Sequence, residues 1–477
     1  MILDIVLSLV LAVPLSLSTF PHILQLQLCE YLLYRYRALV EDKGIAKALL
    51  FTKFRFPAKS IRNLMILGLT YLLTVSFFLL AFTYLESAVA ICIALFLSYP
   101  VSKVFVLLGA LITSPLSSLY RARYLFIANR QLKSSGVKII AITGSYGKSS
   151  VKEYLHRILS AKYLTGKTRG NRNTEVGIAI EIGLQITRDM DYFIAEMGAY
   201  RRHDIEKLCK LYKPSIGIIT GVGNQHVSLF GSRQELIKTK LELVDGVKHG
   251  SVYASLEWDG AVNAFSQYHK KIVTYGFGGE ADVKVVFGEK AGRFKILHGA
   301  REEEYESKLL GMHSYLNLVP AIIVSRELGM SYHEVYEIVK AIEPITGKLS
   351  LHKVNKGMTV LNDSYNSNVD GFCSAIDVLD CLNSGKKYIS TLGIFELGNE
   401  KYGSYKRIVK ALEGKNILLL TTDADFFGES ASTQVRIFKQ ESEILKFLNG
   451  INEEKVLLVE GRHSPAFMTE LGISKAY

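Results

Sequence analysis

The chain has 477 residues, room for about three domains, with 21% charged residues and a positive mean hydropathy of +0.19. Its five cysteines (Cys29, Cys92, Cys209, Cys373, Cys381) form no CxxC and no paired spacing, which argues against disulfides and structural zinc and for a reducing compartment. The net charge of +12 does not call for a nucleic-acid partner: residues 1–138 carry 14 Lys/Arg against 5 Asp/Glu, so most of the excess lies beside apolar segments.

In chain order, residues 5–29 are uncharged but contain Pro14 and Pro21, and no basic signal-peptide region precedes them. Residues 35–62 hold eight basic and two acidic residues and are expected to face the cytoplasm. Residues 64–85 are 22 residues without a charge, enough to cross a bilayer as a helix. Residues 87–120 are apolar except for Lys103, which is expected to snorkel to an interface, leaving 104–120 on the membrane surface. Residues 121–138 carry five basic residues and no acidic one, again a cytoplasmic sign. The expectation is three spans turning around Glu86 outside, N-terminus out and C-terminus in. If 5–29 is a buried or interfacial helix, there are two.

A soluble α/β part follows. Residues 137–143 (VKIIAIT) read as a buried parallel strand, and 151–161 carry a helical pattern. Between them stands Thr143-Gly144-Ser145-Tyr146-Gly147-Lys148-Ser149-Ser150, in the strand–turn–helix context that a phosphate-binding loop requires. Gly144 and Gly147 let backbone N–H groups wrap phosphates, Lys148 would bridge β- and γ-phosphates, and the Ser149 hydroxyl would bind Mg²⁺. The strict motif needs Gly where Ile142 stands, so the pattern by itself also fits a Gly-rich strand–helix turn. Strands at 192–195 and 215–220 lead into Glu196-Met197-Gly198 and into 221–232, placing Glu196 and His226 past strand C-terminal ends, where open parallel sheets bind ligands. Further strands are expected at 358–361, 388–392, 417–421 and 455–459.

Eight collinear stretches resemble the Mur ligases, the ATP-dependent enzymes of cell-wall peptide synthesis, and within them the branch that adds D-alanyl-D-alanine. They are AITGSYGKSSVKEYL, GNRNTEVGIAIEI, EMGAYRRHDIEKL, GNQHVSLFGSRQELIKTKLEL, GMHSYLNLVPAIIVSRELG, ITGKLSLHKVNKGMTVLNDSYNSN, TLGIFELG and LLVEGRHSPAFM. The resemblance implies a P-loop central domain with a parallel sheet at 119–345 and a Rossmann-like α/β domain at 346–477, after a helical transmembrane region at 1–118. It implies ATP and Mg²⁺ as cofactors. Lys148 and Ser149 match the P-loop pair; Glu196 and His226 match metal-binding positions; Lys240 matches the lysine that these ligases carbamylate to hold a second Mg²⁺. Asn317 and Asp363 match nucleotide contacts, and Asn366 and Asn368 share the signature of Asp363 at the interdomain cleft.

Several positions depart from the family pattern. Ser314 stands in place of Asn, Val369 and Ala179 in place of Pro, and Lys348 in place of an ATP-contacting Arg, which keeps the charge but loses the planar fork. Nothing matches the family's UDP-binding N-terminal domain. The implied chemistry is attack of a carboxylate on the γ-phosphate, giving an acyl phosphate that an amine then opens. The implied partners are a carboxylate-bearing cell-wall precursor, UDP-linked or lipid-linked, an amino acid or dipeptide, and membrane lipid at the inner face of the cytoplasmic membrane. Two other readings stay open: an amide ligase like the poly-γ-glutamate synthases, and a catalytically silent nucleotide-binding scaffold.

Overall fold

A computed structural model describes residues 2–28, 31, 36, 60–84, 88–223, 230–268, 272–288, 292–354, 357–365, 367–382, 385–394, 401–427 and 434–473. His226 and Asn366 lie outside the described residues. The chain divides into two compact units, Met1–Phe126 and Ile127–Tyr477.

The first unit is helical. Among the described residues two helices are long and apolar enough to cross a membrane, Ile61–Tyr84 and Ile91–Ser135, the second running past the end of this unit, and the pair Asp4–Ser18 and Phe20–Gln27, bent by 42°, raises the count to three if it acts as one span. Large apolar side chains such as Val10, Leu72, Leu80 and Phe96 point outward, while Thr70 and Thr74 are buried and return their hydroxyls to the carbonyls of Ile66 and Thr70, each at 2.7 Å. Such an inverted pattern suits a lipid solvent, where polar groups must be satisfied inside the bundle. The expectation for Lys103 fails. It lies buried inside the helix Ala88–Ile112, which continues through 104–112, and its ammonium stacks 3.9 Å from the Tyr99 ring centroid. A charge on a side chain does not interrupt the backbone ladder, and the aromatic face of Tyr99, one turn back on the same helix, attracts the ammonium.

The second unit holds two sheets. The first has nine strands: β1 (Lys138–Thr143), β2 (Thr165–Lys167), β3 (Tyr192–Glu196), β4 (Ile216–Ile219), β5 (Val252–Ser255), β6 (Ile272–Gly276), β7 (Val283–Phe287), β8 (Arg293–His298) and β9 (Arg301–Glu306). Their order is β2-β3-β1-β4-β5-β6-β7-β8-β9, parallel from β2 through β7, with β8 and β9 antiparallel at the edge. The unbroken apolar runs of β1 and β3 are what a strand covered on both faces requires. The helices Lys148–Leu159 and Met312–Glu327 pack over this sheet, burying Ile142, Leu155, Ile158, Val319 and Ile323 in one core. Because β1 lies between β3 and β4, the chain leaves it in opposite directions, and a crevice opens at its carboxyl end.

The second sheet contains β10 (Ser350–Val354), β11 (Met358–Asp363), β12 (Lys386–Thr391), β13 (Ile417–Thr421), β14 (Val435–Ile437) and β15 (Lys455–Glu460) in the order β10-β11-β15-β12-β13-β14. Only β10 is antiparallel. The last strand in sequence therefore enters the middle of the sheet, which sets Glu460 beside Asp363 in register at adjacent strand ends.

Candidate active site

The loop after β1 is built from close backbone approach. Gly144 has φ +150° and Gly147 φ +80°, values that favour glycine. A Cβ on Gly144 would stand 2.1 Å from Thr220 Oγ1, and one on Gly147 2.2 Å from Asn317 Oδ1. The loop is fastened to the end of β4: Ser145 N donates to Gly221 O at 2.7 Å, and the Thr220 hydroxyl donates to Tyr146 O. The helix Lys148–Leu159 starts directly behind it, so its first N–H groups and dipole face the crevice.

Lys148 Nζ lies over this loop, donating to Gly144 O at 2.8 Å and Ser145 O at 3.2 Å. Glu196, from the end of β3, is buried and meets the start of the same helix: its Oε2 accepts from Ser149 Oγ at 2.9 Å and from Lys152 Nζ at 2.9 Å. Burial works against its ionisation, but Lys152, Lys148 and these hydrogen bonds outweigh burial and hold the carboxyl below its usual range. Breaking one partner out of such a buried pair costs roughly 3–5 kcal/mol. The sequence reading paired Ser149 with Glu196, which the structure brings together, but missed Lys152. Its signal was available, since Lys152 lies four residues after Lys148 on one helix face.

More cations gather around the loop. Lys240 is buried on the helix Arg233–Gly246, and burial, followed by the charge of Lys148, lowers its ammonium to about 7. Lys348 Nζ reaches Ser150 Oγ at 3.3 Å and sits 4.7 Å from the Tyr365 ring centroid; burial lowers it to about 8. Lys148 is lowered too, by burial first. Burial is the first cause of all three depressed ammonium groups, so each has lost solvation that a polyphosphate in the crevice would replace. For a divalent cation, the adjoining Ser149 hydroxyl and Glu196 carboxylate are hard oxygen donors. Among the described residues no group of three or more His, Cys, Asp or Glu is placed to hold a metal ion.

Asn317, on the helix Met312–Glu327, leans against Gly147. Leu349 has φ +51°, a strained value for a branched residue, at the entry to the second sheet. Its N–H donates to Asp363 Oδ1 at 3.2 Å, which draws Lys348 and Asp363 toward one end of the crevice. Asn368 caps the helix Val369–Cys381 by accepting from Gly371 N at 2.9 Å. It also lines a cavity of about 500 Å³ with Tyr146, Arg233, Trp258, Asp370 and Arg407.

Glu460 escaped the sequence reading because it is a lone acid at the end of an apolar run. It is buried beside Asp363, and the Ser367 hydroxyl donates to its Oε1 while Oε2 has no partner among the described residues. Burial raises Asp363 to about 7, and burial with the Asp363 charge raises Glu460 well above the carboxylate range. Both folded-state values are raised, so the pair's contribution to stability is full at acid pH and is lost as pH climbs through about 7. Glu460→Gln should therefore melt higher than the native chain by a margin that widens from pH 5 to pH 8. A difference in melting temperature that ignores pH would refute the pairing.

A comparison with family models now decides the central region: it matches the Mur ligase middle domain over residues 142–325. This region is a Mur ligase middle domain. The match bears out the resemblance drawn from the motifs, and relatives extend it. The chain is 28% identical over 277 residues to UDP-N-acetylmuramoyl-tripeptide–D-alanyl-D-alanine ligase of Bacillus subtilis (strain 168), covering 57% of this chain and 60% of that one. It thus spans about three fifths of the length of the curated relatives it matches. Among solved structures, MurF from Acinetobacter baumannii superposes with a TM-score of 0.66 at 23% identity, over 74% of this chain and 80% of that one. MurF ligase from Thermotoga maritima in complex with ADP gives 0.64 at 21%, over 73% and 82%. The two sheets of the second unit are accordingly the Mur ligase fold.

Proposed function

We propose that the chain is an ATP-dependent ligase that joins a cell-wall precursor carboxylate to the amine of an amino acid or dipeptide, at the cytoplasmic face of a membrane. The observation that carries this reading is the convergence of Lys148, Lys240 and Lys348 on the glycine loop, with Ser149 and Glu196 as a hard oxygen pair. The ADP held by the Thermotoga maritima relative and the substrate named for the Bacillus subtilis relative point the same way.

In this reading Lys148 and the loop N–H groups would bind and orient the triphosphate for attack by the acceptor carboxylate. Mg²⁺, when bound, neutralises charge on the transferred phosphoryl group. Ser149 and Glu196 would hold one ion, with Lys152 fixing the carboxylate's orientation. Lys240, half neutral near pH 7, can add its amine lone pair to CO₂, giving an anionic carbamate and releasing one proton. The carbamate, with His226, would serve a second ion. Lys348, Asn317 and Asp363 would contact nucleotide. The apolar helices of the first unit would hold the catalytic domains at the membrane, with two or three spans.

The full chain in detergent should release ADP and phosphate only when a carboxylate acceptor and an amine are both present; UDP-N-acetylmuramoyl-tripeptide with D-alanyl-D-alanine is the first pair to try. Lipid-linked acceptors form the second arm. ATP turnover indifferent to the amine would overturn the ligase reading.

A further inference from the structure

The helical unit contains a second polar centre, remote in chemistry from phosphoryl transfer. His22, Gln25, Lys103 and Ser16 are buried, at 1%, 8%, 5% and 4% exposure. Among the described residues, both ring nitrogens of His22, Gln25 Oε1, Lys103 Nζ and Ser16 Oγ have no hydrogen-bond partner. Other buried polar side chains of this unit are satisfied. Thr19, Thr70, Thr74, Ser98, Ser102 and Thr113 bond to carbonyls three or four residues back, and Asn63 donates to Gln27. Three of the residues with unsatisfied atoms, His22, Gln25 and Lys103, are neighbours. The His22 imidazole stands next to Gln25 and within electrostatic reach of Lys103.

Orphaned polar atoms in a low-dielectric bundle are costly, and each needs a partner from somewhere. The sign of that partner follows from the charges. Lys103 has no carboxylate partner among the described residues, and Asp4 is the only acid among the described residues of this unit. An ammonium and the one N–H of an imidazole donate to an oxyanion, and Gln25 Oε1, an acceptor, can take a hydrogen bond from a phosphate that keeps one proton. Depth adds to this. At 1.5 Å per residue, Lys103 lies about 22 Å along its helix from Ala88, in the half of a span nearer the cytoplasmic end. Arg62 follows beyond it, donating to Ala110 O at 3.2 Å and Thr113 Oγ1 at 3.3 Å.

We propose that His22, Gln25 and Lys103 form a binding site for the phosphate of a lipid, seated between the apolar helices at the inner-leaflet level. The proposal rests on the reading of these helices as membrane spans and is independent of the ligase reading. Its ligand class is a phosphomonoester or pyrophosphate, borne by a lipid or free.

The test is native mass spectrometry of the full chain in dodecyl maltoside with dioleoylphosphatidic acid, dioleoylglycerol or inorganic pyrophosphate as probe, on a Lys148→Ala background that weakens the P-loop. Phosphatidic acid should be retained and dioleoylglycerol not. Lys103→Met should weaken retention at least tenfold while melting no lower than its parent, because it removes an unpaired buried charge. His22→Leu should weaken it as well. Displacement by pyrophosphate at equal concentration would support the anion site and assign it to a free ion. Equal retention by parent and Lys103→Met, or none by either, would overturn the proposal and leave a hydrated polar pocket. Carbonate extraction of native membranes tests the spans separately: release of the chain would defeat the membrane reading and leave the ligase assay untouched.

Discussion

Lys240→Ala should lower amine-dependent ADP release by about 10³-fold, roughly 4 kcal/mol of transition-state stabilisation, and high-millimolar acetate should restore part of it. A buried ammonium near Lys148 is a poor neighbour for a metal ion, whereas a carbamate on that nitrogen would be a ligand. A small carboxylate diffusing into the space left by the side chain supplies the same two oxygens. Lys240→Arg, which keeps the charge and cannot be carbamylated, should be equally inactive. Loss of fold is a separate outcome with its own signature. The folded-state value of Lys240 is lowered to about 7, so its stability penalty is full below that pH and is relieved as pH rises toward the ordinary lysine value. In CO₂-free buffer the alanine variant should melt higher than the native chain at pH 6, with a smaller difference at pH 9. Full turnover in both variants would remove the carbamate from the mechanism.

The second large effect is expected at Lys148. Its Nζ is the cation over the glycine loop, and Lys148→Ala should reduce turnover by about 10³-fold, comparable to removing a principal charge-stabilising donor. Nucleotide affinity should fall with it, since the contact serves both ground and transition states. The loop itself should survive, because it is fastened by Ser145 N to Gly221 O and by Thr220, neither of which involves the lysine side chain. A calorimetric titration with ATP analogue separates the two quantities. Unchanged turnover with intact affinity would mean that the glycine loop is only a structural turn.

The two sheets were legible to different depths. The apolar runs at β1 and β3 and the glycine spacing behind β1 predict a strand, a loop and a helix, and the chain forms them at those places. The strands expected at 358–361, 388–392, 417–421 and 455–459 appear as β11, β12, β13 and β15. Local pattern suffices there, because a strand covered on both faces must be continuously apolar. Strand order was not legible. Nothing in the run 455–459 says that it inserts between β11 and β12, and it is this insertion that brings Glu460 against Asp363.

Lys103 shows the same division inside the helical unit. A single cation in an apolar stretch predicts an interface, but Tyr99, four residues back on the same helix, offers its ring, and the bundle adds the neighbourhood of His22. By itself the sequence determined what is written in short-range periodicity and spacing: the apolar helices, the glycine loop with Lys148 and Ser149, and the resemblance that named Glu196 and Lys240. Tertiary structure alone decided the pairing of Lys152 with Glu196, the strained approach of Leu349 to Asp363, the buried companion of Glu460, and the approach of His22 to Lys103. The reason is physical. Hydrophobic pattern is a property of neighbours along the chain, whereas a charge's partner and burial are set by whichever distant element folds against it.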